Sequence, residues 1–168
     1  MFGTFGVFAV IIIIVWGVCF ANRMRAESEA EEALDVMEQS GSRVSSQSRR
    51  VTEWMDNLTM LVSSRDAKKS ELIYALQQLQ KEYDTYTALV HTYNCERKEA
   101  AHSLSKLART QNMTGGANDL GAIGYYRRSS RFDRIDGFQE PYIDRAILQK
   151  AKEKIASLEA EQLNVIEH

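Results

Sequence analysis

Phe2 to Ala21 form a run of twenty residues in which Thr4 is the only polar side chain and no charge occurs. As a helix this run is about 30 Å long, the thickness of a bilayer's hydrocarbon core. Val7 to Val15 is β-branched and aromatic apart from Ala9. Such a stretch aggregates in water but is stable in lipid, where a helix satisfies its own backbone. Residues 2–21 are therefore expected to be a single transmembrane anchor in contact with lipid. No basic residue precedes the run, as the start of a secretory signal would require, so the segment is expected to stay uncleaved. Arg23 and Arg25 follow it directly. By the positive-inside rule they place the C-terminal body on the cytoplasmic side, or its virion or organellar equivalent.

All 21 Lys and Arg and all 23 Asp and Glu lie beyond residue 21. The remainder is about 30% charged, too polar for a thick core and suited to long helices with exposed faces. One proline and nine glycines argue against a turn-rich β protein. A net charge of −2 argues against a general nucleic-acid binder. The expected fold is all-α: anchor, long coiled-coil helix, Gly/Arg/aromatic-rich loop and shorter amphipathic helix.

From about residue 30 the apolar residues step by alternating fours and threes. The seam runs through Leu34, Met37, Val44, Val51, Met55, Leu58 and Val62, then Leu72, Leu76, Leu79, Tyr83, Tyr86, Val90, Tyr93, Leu104 and Leu107. A period of 3.5 kept this long predicts a left-handed coiled coil. Unbroken, it would make a rod about 115 Å long. The cations Arg65, Lys69 and Arg97 also fall on the seam and are expected to snorkel outward. Residues 22–48 read as an acidic to Ser-rich neck, bendable but helical, and 49–110 as the rod. Of the 21 positions flanking the seam from Ala33 to Ser103, only five are charged. Trp54, Leu61, Ile73 and Leu89 stand there instead, so the stripe is wider than a dimer needs. At least three helices in section, or a partner against this flank, are expected.

Residues 111–140 hold five glycines, then Tyr125, Tyr126, Arg127, Arg128, Arg131, Phe132, Arg134 and Phe138. Arginine and aromatics at this density make a docking segment. It can pack back on the rod, grip another protein or meet phosphates, and protein contact within or between chains is preferred. Residues 141–166 read as an amphipathic helix opened by Pro141, with Leu148, Ala151, Ile155 and Leu158 on one face.

No pattern of catalytic, phosphate-cradling or metal-binding residues appears. His91, Cys95, Lys98 and His102 share an outer stripe, but His102 lies about 10 Å further along the helix axis, too far to ligate the same ion. No cofactor, metal or small-molecule substrate is expected, and the chain is expected not to be an enzyme. Cys95 reads as an outward free thiol. The expected function is a membrane-anchored structural tether or scaffold that bundles with other helical proteins or with copies of itself. A minor structural protein between an internal virion membrane and its capsid has this build, as does an accessory subunit of a membrane complex. The layout of anchor, coiled coil and short C-terminal helix also resembles the phage inner-membrane spanins. That resemblance implies a lysis or membrane-fusion role with a periplasmic body, opposite to the side that Arg23 and Arg25 indicate. A third expectation is a regulatory or assembly subunit of a transporter or secretion machine.

Overall fold

A computed structural model describes residues 2–113, 119–134 and 140–166, with side chains described over 6–111, 124–133 and 140–161. It contains four helices and, among the described residues, no strand: α1 (Phe2–Ser63), α2 (Lys69–Met113), α3 (Asp119–Arg134) and α4 (Arg145–Ile166). The all-α class is as the sequence indicates. The chain divides into two compact units. The first comprises Met1–Gly41 and Thr92–Gly137; the second comprises Ser42–His91 and Phe138–His168.

The single rod over 49–110 is corrected. The chain turns at residues 64–68. The turn is built from side chains, since the sequence offers neither glycine nor proline there. Ser64 Oγ accepts from Asp66 N at 3.3 Å. Glu71 Oε2 accepts from Lys68 N at 3.0 Å, reaching back over the first turn of α2 as a capping glutamate does. Arg65 and Lys69 are therefore not snorkelling seam residues. Two successive seam positions are cationic because the seam is interrupted between them.

In the second unit, α1 and α2 form an antiparallel hairpin. Gln47 lies opposite Glu82, its Nε2 donating to the Glu82 carbonyl at 3.0 Å and carboxylate at 2.6 Å. Nearer the turn, Trp54 meets Tyr74 edge to face at 5.9 Å. Val44, Val51, Met55 and Leu58 from α1, and Leu72, Ala75 and Leu79 from α2, form the buried stripe. α4 adds Ala151, which is fully buried.

The helix α4 opens four residues later than its proline suggested. Asp144 Oδ1 accepts from Ala146 N at 2.8 Å and Ile147 N at 3.3 Å, the geometry of an N-cap. Residues 140–144 are non-helical. A capping aspartate satisfies two free donors, whereas Pro141 satisfies none, so the cap sets the boundary.

Lys154 on α4 closes the other end of the hairpin. Its Nζ donates to the carbonyls of Leu61 at 3.0 Å and Val62 at 3.1 Å, and also to that of Ser64. α1 has no basic residue in its own last turn, so α4 supplies the cation that its carbonyl end favours. Lys154→Met keeps the aliphatic stem and removes these bonds. It is expected to destabilise the second unit by about 1–2 kcal/mol, as for an uncapped helix end. Hydrogen exchange should then quicken around residues 60–66 before it does elsewhere.

In the first unit, α1 and α2 are again antiparallel, with Lys106 Nζ 2.5 Å from Glu29 Oε2. Ala26, Ala30, Leu34 and Met37 are buried, as are Tyr93, Ala100, Leu104 and Leu107. α3 runs along α1, with Arg128 at Glu31 and Arg131 reaching Asp35 and Glu38. The expectation that 111–140 is a loop is thus corrected, since 119–134 is helical. Gly124 costs helix propensity, about 1 kcal/mol relative to alanine. A methyl there would lie 2.9 Å from Arg128 Nη1, so the glycine leaves room for the guanidinium.

Candidate functional site

The largest uncovered apolar surface is the start of α1. Val7, Phe8, Val10 to Trp16, Val18 and Phe20 each expose half or more of their area. The apolar 18-residue window has a mean hydropathy of 2.2, and none of it is buried within the chain. α1 is therefore long and apolar enough to cross a membrane. Trp16 and Phe20 stack at 6.4 Å with an interplanar angle of 12°, near the polar end of the run, where aromatic rings favour the lipid–water boundary.

The first charges after the run are paired along the helix. Arg23 Nε contacts Glu27 at 3.3 Å and Arg25 Nε contacts Glu29 at 3.1 Å. Glu29 also holds Lys106. The Lys106 ammonium, by its hydrogen bond, keeps the Glu29 carboxyl below its ordinary range, and Arg25 adds to this against a partial desolvation. A carboxyl with a lowered folded pKa stabilises the fold above its unfolded value, and that contribution disappears as pH falls through the folded value. Lys106→Ala is therefore expected to raise the Glu29 midpoint towards the ordinary glutamate value. A carboxyl NMR titration in detergent would show it, and an unmoved midpoint would assign the lowering to Arg25.

The Arg/aromatic segment packs back on the chain's own acids. Arg131 Nη2 lies 2.6 Å from both Asp35 Oδ1 and Glu38 Oε2, and its Nη1 lies 3.1 Å from Glu31 Oε1. Arg128 Nε joins Glu31 at 2.9 Å. The hydrogen bonds it donates to Asp35 and Glu38 push the Arg131 guanidinium further above its ordinary value. The Arg97 guanidinium sits 5.5 Å over the Phe132 ring. Glu31, Asp35 and Glu38 form an i, i+4, i+7 stripe that faces Arg128 and Arg131, so the acidic neck is one half of an ion-pair network. Tyr125 and Tyr126 meet at 6.1 Å, and Tyr126 is 70% exposed. Arg127 is exposed. Arg134 ends α3, with its side chain outside the described residues, and Phe138 lies wholly outside them.

The seam residues divide. Leu34, Met37, Val44, Val51, Met55, Leu58, Leu72, Leu79, Tyr86, Tyr93, Leu104 and Leu107 are buried. Val62, Leu76 and Val90 are half-buried, and Tyr83 is 41% exposed. Burial raises the Tyr86 hydroxyl pKa, and nearby Glu140 adds to the effect.

The wide stripe has a structural origin. Every position of one flank, from Ala33 through Gln47, Trp54 and Leu61 to Leu89 and Ser103, is buried or half-buried except Lys68 in the turn. Most positions of the other flank are exposed, with Ile73 half-buried. The chain's own helices thus cover much of the flank assigned to a partner. Among the large apolar side chains left open in the second unit are Met60 at 67% and Tyr74 at 55%.

His91, Cys95, Lys98 and His102 are all exposed on α2. Glu29, Glu32, Glu96 and Glu99 line a cleft of about 240 Å³. Among the described residues, no three His, Cys, Asp or Glu side chains are placed to hold a metal ion. No protein-family model, curated protein or solved structure matches the chain at a significant level.

Proposed function

We propose that the protein is a membrane-anchored, non-enzymatic scaffold or tether subunit, and that its helical body joins partner helices in a larger assembly. One observation supports this above the others. α1 runs without interruption from the uncovered apolar segment into the packed helices, Phe2–Ser63. No flexible linker separates anchor from body, so force or position at one is passed to the other. Such coupling suits holding distance and register, as a minor structural protein beneath a virion capsid or an accessory subunit of a membrane complex must do. Arg23 and Arg25 put the body on the cytoplasmic side or its virion or organellar equivalent. Partner contact is assigned to the open Met60 and Tyr74 side chains, because Tyr and Met are favoured at interfaces and these two are uncovered.

Two measurements test this. Cys95 is exposed and free, whereas Cys19 lies in the apolar run. A membrane-impermeant maleimide should label Cys95 only after the membrane is opened; labelling of intact cells or particles would reverse the topology. Native extraction with cross-linking through the exposed Lys68, Lys81 and Lys98 should yield links to a fixed set of other proteins, weakened in Met60→Ser/Tyr74→Ser. Links between copies alone would overturn the partner-binding part of the proposal.

A further inference from the structure

In the second unit, α2 and the approach to α4 enclose an open groove of about 560 Å³. Leu76, Leu79 and Tyr83 of α2 and Leu148 of α4 give it an apolar lining, and Arg145 and Lys152 stand at its edge. Both cations are exposed, and neither is ion-paired among the described residues. Acids stand close by. Glu140 precedes the groove-lining Pro141, and the exposed Asp84 accepts from Gln80, another lining residue, at 2.8 Å. The edge therefore carries both signs of charge.

Beside the groove is an aromatic knob. Pro141 and Ile143 line the cavity and are half-buried. Tyr142 between them is 73% exposed, the most exposed large apolar side chain of the body. Alternation along an extended segment turns 141 and 143 inward and 142 outward.

We infer that this face is a two-fold interface with a second copy of the chain, in which Tyr142 of each copy enters the groove of the other. A two-fold contact needs one patch that is complementary to itself. Here hole and knob are side by side, and both charge signs surround them, so Arg145 and Lys152 of one copy can meet Asp84 and Glu140 of the next. The net charge of −2 raises little repulsion between copies. A tyrosine seated in an apolar pocket is a preferred interface anchor. The same groove would suit a small anionic amphiphile in volume, but such a ligand leaves Tyr142 and the two acids without a role. The inference is independent of the membrane anchor and of the partners proposed above.

The test uses the full chain in detergent, with Cys19 and Cys95 changed to serine. One preparation carries Tyr142→Cys and a second carries Gln80→Cys. Mixed and oxidised, they should form a disulfide between the two different chains, far faster than either pairs with a Cys introduced at exposed Glu53. In parallel, Tyr142→Ala is expected to raise the dimer dissociation constant on the order of 100-fold by sedimentation, since symmetry removes the contact twice. Tyr142 is exposed, so this change leaves the fold intact. No selective disulfide, or a dimer with unchanged affinity in Tyr142→Ala, would overturn the interface; the second result would place self-association elsewhere, such as in the apolar run.

Discussion

With arginine at both Ile12 and Ile13, the protein should leave the membrane fraction. These side chains are 64% and 69% exposed, and nothing in the chain covers the segment around them. At the centre of a span, isoleucine favours insertion by about 0.3–0.6 kcal/mol, whereas arginine opposes it by about 2.5–3.5 kcal/mol. Two such changes shift partition by roughly 6–8 kcal/mol, more than snorkelling from the middle of a helix recovers. Met60→Arg is the control, because Met60 is 67% exposed in the body and its change should leave partition alone. The readout is the share of protein that resists alkaline carbonate extraction. If the double variant stays in the pellet as firmly as the parent, the apolar run is held by protein and not by lipid.

Much of the architecture was legible, for reasons that also explain what was not. The apolar run at the start of α1 and the amphipathic face of α4 depend on local composition, which the sequence reports directly. Along α1 the seam positions from Ala30 to Leu58 are buried without exception. What periodicity cannot report is direction. A stripe of period 3.5 is equally buried by a parallel copy or by the same chain folded back. Val62 and Lys69 stand seven residues apart, so the turn between them leaves the heptad phase unchanged. The cations Arg65 and Lys69 were the available signal, and they mark the turn rather than seam positions. Much of the unusually apolar flank is covered from within the chain, since α1, α2 and α4 meet in the second unit.

The helix α3 was hidden by a different cause. Gly121 and Gly124 lower its intrinsic propensity, and a short helix is marginal alone. Its support is tertiary, from Glu31, Asp35 and Glu38 more than ninety residues away. Each stripe was visible by itself: acids at i, i+4, i+7 and arginines at i, i+3. Nothing in one sequence pairs them. The ion pairs are individually modest because the acids are about half exposed or more, but Arg131 bonds three carboxylates at once, and networks outperform isolated pairs.

The folded-back arrangement also predicts that two tyrosines on the same seam behave very differently. Tyr93 is 2% exposed and is the bulkiest of the fully buried side chains. A space left there is closed to water. Tyr93→Ala is therefore expected to cost about 3–5 kcal/mol, the sum of lost transfer energy and a cavity that does not collapse. Tyr93→Phe keeps the ring and should cost at most about 1.5 kcal/mol. Tyr83, ten residues earlier on the seam, is 41% exposed, and water can fill whatever its removal leaves. Tyr83→Ala should cost about 1 kcal/mol or less. Denaturant unfolding in a fixed detergent, followed by tryptophan fluorescence and helical circular dichroism, gives all three differences. In a bundle that buried every seam position alike, the two alanine substitutions would cost similar amounts. A several-fold gap between them is the signature of the antiparallel arrangement, because a helix folded back on its own chain is covered unevenly along its length.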